Sequence, residues 1–291
     1  MAKHTTICAG IDTGKRKLDV AIEGRRELLQ VDNTAEGHKV LLAWLRQRRV
    51  KRVGIEASGG YEQPVVAELR RKRFVVVVFQ PVQVRAYAKF HLQRAKNDKI
   101  DAALIAACTA AVRKIHAAPD PRLLPFAEQL TMIDQINEDI ARLKNRIESC
   151  RNARIKKLWQ EDIARLEMRE KAELKALVAS IRKRPDLAKR LELINSVDGI
   201  GLPTAVAILV RLPEIGRITR EQAVALAGLA PYDDDSGEQV GVRHIDGGRE
   251  RLRRALYTAA LPASFRWNKQ LIALYRRLIA AGKGHKRALI A

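Results

Sequence analysis

Asp12 closes an apolar run in AGIDTG, and Glu56 closes another in VGIEASGG. Asp98 and Asp101 form a D-x-x-D pair in KNDKIDA. A carboxylate at the end of a buried strand is unusual, because burying an unpaired charge is costly. Two of them on adjacent strand ends would point at one edge of a sheet, and two spaced by three share a helix face. Four carboxylates converging on one spot repel unless divalent cations neutralise them, and hard oxygen donors suit Mg2+ or Mn2+. Two such ions are the usual apparatus of phosphodiester chemistry. Each residue also has a plain structural role open to it. Asp98 would serve as a helix cap with Asp101 favouring the dipole, and Asp12 would hold a tight DTG turn. Taken singly, the structural roles lead; taken together in a chain of net charge +22, the two readings stand level.

Three further signals concern phosphate. In SVDGIGLPTAVAIL, Gly199 and Gly201 lie two apart at a helix start. There, converging backbone N–H groups would bind a phosphate in the manner of a helix-hairpin-helix element; an ordinary turn using glycine for its backbone angles is the alternative. Ser236 in DDDSGEQVG would be a nucleophile if a base, a metal or an electropositive surrounding activated it, although a loop serine is ordinarily structural or solvated. Basic runs at 46–52, 70–73 and 249–254, the last with Arg249, Arg251, Arg253 and Arg254, favour phosphate contacts.

These residues need elements to position them. The chain has 291 residues, which suggests about two domains at roughly 150 residues each. Residues 1–118 carry 23 basic and 11 acidic side chains and are the most basic part. TTICAGID, LDVAIEG and ELLQVDN read as a strand meander, 36–48 as a helix, VGIEA and FVVVVF as buried strands, and 61–73 and 98–113 as helices. This is an α/β domain whose apolar strands predict a sheet covered on both faces. From Phe126 to Arg184 there is neither Gly nor Pro, and apolar residues recur every three or four positions. The spacing predicts a coiled-coil or hairpin arm over 119–185, reversing near 148–158, whose seam would help to build an oligomer. Residues 186–291 read as a mostly helical third region, with helices over 186–195, 203–212, 219–227, 248–261 and 267–281.

Composition excludes several classes. Forty-seven percent hydrophobic residues rules out wholesale disorder. Cys8, Cys108 and Cys150 lie too far apart for a zinc finger and fit a reducing cytosol. No apolar stretch is long enough to span a membrane. A chain this basic is expected to bind nucleic acid. Aromatic residues make up only 4%, which argues against binding by rows of stacked bases.

The order AGIDTGKRKLDVAI, IEASGGYE, AKNDKIDAALIA resembles the RuvC-like, RNase H-type domain of the DEDD transposases of insertion sequences. LINSVDGIGLPTAVAIL, LAGLAPYDDDSG and RERLRRALYTAAL look like the same family's C-terminal transposase domain. The resemblance implies an RNase H/RuvC-like α/β catalytic domain over 1–118 and a serine-bearing transposase domain over 186–291. It implies that Asp12, Glu56, Asp98 and Asp101 are the metal-binding tetrad and that Ser236 attacks a DNA phosphate, tetrad and serine forming one composite site. It also implies two Mg2+ or Mn2+ ions, a structured noncoding guide RNA (a bridge RNA), a dimer or tetramer, and action in the prokaryotic cytosol or nucleoid. Two other functions remain as alternatives: a Holliday-junction-type nuclease using only the acidic site, and a non-enzymatic nucleic-acid-binding protein.

Overall fold

The computed structural model describes residues 6–92, 98–115, 120–232, 241 and 243–291, with 98–100 described by their backbone. The chain divides into two compact units, Met1–Ala118 and Pro119–Ala291.

In the first unit, β1 (Cys8–Thr13), β2 (Lys17–Ile22) and β3 (Leu28–Asp32) form an antiparallel meander. The Thr34 hydroxyl caps α1 (Ala35–Gln47) by accepting from the Gly37 N–H. Strands β4 (Arg52–Glu56) and β5 (Val75–Phe79) then join in parallel, with α2 (Gln63–Arg71) between them. The sheet order is β3-β2-β1-β4-β5, a mixed arrangement consistent with an RNase H-like domain. Strand alternation separates the two faces. Ala9, Ile11, Val20, Val53 and Ile55 point into a core filled by Leu41 and Leu45 of α1 and Val65 and Leu69 of α2.

Gly10 and Gly54 look the other way, toward α4 (Asp98–Ala111). A Cβ on Gly10 would stand 2.2 Å from the Ala106 nitrogen, and one on Gly54 would stand 1.8 Å from the Thr109 hydroxyl oxygen. Bare backbone at these two positions is what lets α4 lie down on the sheet. The expectation of a sheet covered on both faces therefore holds at its centre and is met only in part at β5, where Val76 and Phe79 are buried on opposite faces. That strand is an edge, and Val75 and Val78 stay 42% and 36% exposed.

Two helices have no counterpart in the sequence periodicity. One is α3 (Pro81–Phe90), which buries only Val84 and starts from proline with a reciprocal Gln80–Gln83 cap. The other is α12 (His285–Ile290), a helix of six residues.

The second unit is helical. The long helices α5 (Leu124–Ser149) and α6 (Ala153–Arg182) turn back on each other at Cys150–Asn152, where the Asn152 carboxamide accepts from Arg154 N and Ile155 N. They run antiparallel, with Gln129 meeting Glu173 and Lys144 pairing Glu167 at 2.9 Å. Phe126, Leu130, Leu177 and Ile181 of this hairpin share one core with Leu187 and Leu191 of α7 (Pro185–Asn195) and with α8 (Leu202–Arg211). Farther along, Ile136, Ile140 and Ile163 form a cluster drawn from α5 and α6 alone. The apolar seam thus closes within one chain, and its burial does not itself require a second copy. Then follow α9 (Arg220–Ala227), the short ribbon β6 (Pro231–Tyr232) and β7 (His244–Ile245), α10 (Glu250–Pro262), a π-turn over Ala263–Trp267, and α11 (Lys269–Ala280). Among the described residues, no helix is long and apolar enough to cross a membrane.

Candidate functional site

Strand register places the first two carboxylates. β1 and β4 pair in parallel with Gly10 opposite Gly54 and Ile11 opposite Ile55, so Asp12 and Glu56 occupy the next step, at neighbouring strand ends. Each lies two residues beyond a glycine that faces α4, and so on the α4 side of the sheet. Asp101 sits in the first turn of α4, next to Ala102, whose carbonyl oxygen borders Gly10. Asp12, Glu56 and Asp101 are all partly buried, and all three have interactions with other groups. Asp98 opens α4, and its side chain lies outside the described residues. Among the described residues, no three His, Cys, Asp or Glu side chains come close enough to form a metal-binding group.

Four residues around this edge escape a reading by motif. Asp19 pairs directly across from Asp12 on β2, on the same face, and is 6% exposed. Like charges in such a cross-strand pair repel, and here Gln30 Nε2 donates to Asp19 at 2.6 Å while Lys17 lies 3.3 Å away. An aspartate inside the apolar run KLDVAI was the available signal. Asn33 joins the loops that follow the two strand-end carboxylates. Its carboxamide nitrogen donates to the carbonyls of Gly14 (3.1 Å) and Tyr61 (3.0 Å). The Asn33 oxygen lies 2.9 Å from His38 Nε2, and since an amide oxygen only accepts, that nitrogen carries the proton. Burial holds the His38 pKa below its usual value, so the ring stays neutral. Glu62 fixes the second loop from within by accepting from the N–H groups of Ser58 and Gly60, both at 3.0 Å. Asn33 reaches partners in two separate turns, which no local spacing marks, whereas His38 and Glu62 bond within their own segments.

In the second unit, the candidate glycines differ. Gly199 has a φ of +94°, and a Cβ there would stand 2.4 Å from the Ala263 Cβ. Gly201 is the residue before α8, has ordinary extended angles, and would place a Cβ only against Pro203 at 3.7 Å. The candidate arginines make internal contacts. Arg249 forms a two-pronged pair with Glu214 (2.7 and 2.8 Å) and donates to the Arg211 carbonyl. Arg253 donates to the carbonyls of Gly228 and Gly247, which stand at the two stems of the β6–β7 ribbon. Arg254 bonds Glu138 and Glu250, and its hydrogen bond to Glu138 is the main reason its pKa rises. Ser236 lies in the segment 233–240 that this ribbon carries, outside the described residues. Beside the ribbon is a cavity of about 510 Å³ bordered by Leu229, Ile245, Arg253, Arg254, Tyr257 and Lys286.

A mixed sheet with carboxylates at neighbouring strand ends, followed by a basic helical unit, fits the class of RNase H-like enzymes that act on nucleic acid. Residues 9–151 match the DEDD transposase family of the IS110 type, and residues 191–276 match the IS116/IS110/IS902 transposase family. The chain belongs to this family of insertion-sequence transposases and is a DNA recombinase. It is similar to the pilin gene-inverting proteins of Moraxella bovis and Moraxella lacunata. Identity is 25% in each case, over 97% of this chain and 90% of each relative.

Proposed function

We propose that this chain is the recombinase of an insertion sequence, cutting and rejoining DNA under the guidance of a structured noncoding RNA. The observation that carries the reading is the register that sets Asp12 beside Glu56 under α4, in a chain whose two halves both match one transposase family. Asp12, Glu56, Asp98 and Asp101 would hold two Mg2+ or Mn2+ ions; an all-carboxylate donor set suits hard divalent cations. Bound there, the ions would supply activation of the attacking hydroxyl and stabilisation of the leaving oxygen.

Ser236 is the nucleophile in this reading. Its Oγ bonds to a DNA phosphorus as the bond from phosphorus to the leaving sugar oxygen breaks, and the serine proton ends on that oxygen. A free sugar hydroxyl then attacks the phosphoserine, restoring both a phosphodiester and the serine. No water is consumed, so the energy of the cut bond is kept for rejoining. The named reaction of the Moraxella relatives, inversion of a gene, is one that needs rejoining. The turn between α7 and α8, with left-handed Gly199, acts as a helix-hairpin-helix-like contact to the phosphate backbone. An oligomer that brings the tetrad of one subunit to the serine of another completes the site. Guide pairing leaves the protein to read shape and backbone.

The test is strand transfer by protein expressed with its flanking DNA, with any bound RNA sequenced. Ser236→Ala should abolish both transfer and a protein–DNA adduct on denaturing gels while DNA binding persists. Transfer surviving that change would refute the serine assignment and favour hydrolysis at the acidic site alone. A discrete RNA from the adjoining noncoding region is the expected co-purifying species, and its absence from active protein would remove the guide.

A further inference from the structure

From Arg251 to Ala291 the chain has ten basic side chains and no acidic one. The same stretch contains Tyr257, Phe265, Trp267 and Tyr275, four of the protein's thirteen aromatic residues. The low overall aromatic content therefore conceals one place where aromatic and basic residues interleave.

The π-turn over Ala263–Trp267 organises that place. It buries Ala263 and Ser264 and leaves Phe265 49% and Trp267 63% exposed, with exposed Arg266 between them. Interruptions of this kind in a helix occur often at functional positions. Ala263 packs against Gly199, and the Asn268 carboxamide donates to the Asp198 carbonyl at 3.1 Å. Thus the turn is fastened to the loop between α7 and α8. One of its rings is also set in advance. Phe265 meets Tyr275 edge-on at 4.9 Å and lies nearly parallel to the His285 ring (16°, 6.2 Å), and the Tyr275 hydroxyl is 2.8 Å from His285 Nδ1. Two large exposed rings, Phe265 held by Tyr275 and His285 and Trp267 open to solvent, on a stretch rich in basic side chains, match the chemistry of a stacked nucleobase with its phosphate.

We propose that the Phe265–Trp267 turn is a stacking platform for unpaired nucleotides, next to the turn proposed above to hold backbone phosphate. A duplex hides its base faces, so the platform selects strands that are opened, either displaced DNA or single-stranded RNA. A second copy of this chain is the competing occupant, disfavoured because the stretch 251–291 carries ten basic side chains and no acidic one and would meet its own like charge. The inference rests on the nucleic-acid chemistry of the family and not on Ser236 or the metal tetrad. Its failure is therefore separable from failure of the cleavage mechanism.

Binding of the full chain to oligothymidylate, oligouridylate and duplex DNA, followed by fluorescence anisotropy without reaction, provides the test. Phe265→Leu/Trp267→Leu keeps apolar bulk and removes the π faces, and Trp267→Leu alone spares the Phe265–Tyr275 contact. Affinity for a single strand should fall at least about tenfold in the double variant, with duplex affinity and the salt dependence nearly unchanged. Loss on thymidylate or on uridylate alone identifies the strand that uses the platform. Unchanged single-strand affinity overturns the proposal. So does an equal loss on duplex, or a change in oligomeric state with nucleic-acid affinity intact.

Discussion

Gly10 and Gly199 each allow one piece of backbone to approach another, but in different ways. Gly10 lies in a regular strand, and its missing Cβ makes room for the α4 backbone along the whole Ala102–Ala106 turn. Gly199 lies in a turn between helices, where the requirement is double: a left-handed φ and a close contact with Ala263. The first glycine sets the distance between a sheet and the helix bearing Asp98 and Asp101. The second sets the seating of a surface turn. One unit positions its candidate chemistry through strand register and helix contact across a core. The other does so through loops fastened at their ends, as with Arg253 bonded to both stems of the β6–β7 ribbon.

Three substitutions sharpen the contrast. Gly10→Val should be the most severe, because the obstacle is α4 main chain, which no rotamer change removes. The expected loss is at least about 3 kcal/mol in a urea unfolding experiment, and a loss under about 1 kcal/mol would show that α4 sits down without this contact. Gly199→Ala should cost less, about 1–3 kcal/mol in the same unfolding experiment. If it proved as costly as Gly10→Val, the turn would have to be part of the second unit's core. Smallest is Asn33→Ala, about 1–2 kcal/mol from the lost hydrogen bonds, accompanied by a higher divalent-ion requirement for cleavage. An unchanged requirement would limit Asn33 to a purely structural role.

His38 adds a pH dependence with a definite sign. Burial lowers its folded-state pKa, so the unfolded chain takes up the proton first. Its stabilising contribution is present above about pH 6.5, the unfolded value, and is lost as the pH falls below it. Unfolding midpoints measured on either side of that value should show the loss, and His38→Gln should reduce it.

Much of this fold can be read from the sequence. The meander, the helices of the hairpin and its reversal follow from apolar spacing, because each element buries one face over several turns. Two helices do not. α3 buries one side chain and α12 has six residues, so neither generates a period. For the site, strand ends mark Asp12 and Glu56, but their neighbours are not marked: Asp19 meets Asp12, and Asn33 meets Gly14, only once β1–β3 have paired. The arginines show the reverse limit. A basic run in sequence says nothing of partners, and Arg249, just before α10, turns out to face Glu214 in the turn after α8, while Arg254 faces Glu138 across α10 and α5.

The outer cluster of Ile136, Ile140 and Ile163 draws on α5 and α6 alone, so the hairpin's length is free of the core at its root. Adding one heptad to each helix would preserve the packing period and move the tip outward by about 10 Å. Such an arm is a spacer whose reach can be altered without redesigning either end. The basic tip sequence RNARIKK is what that reach would carry to a different distance.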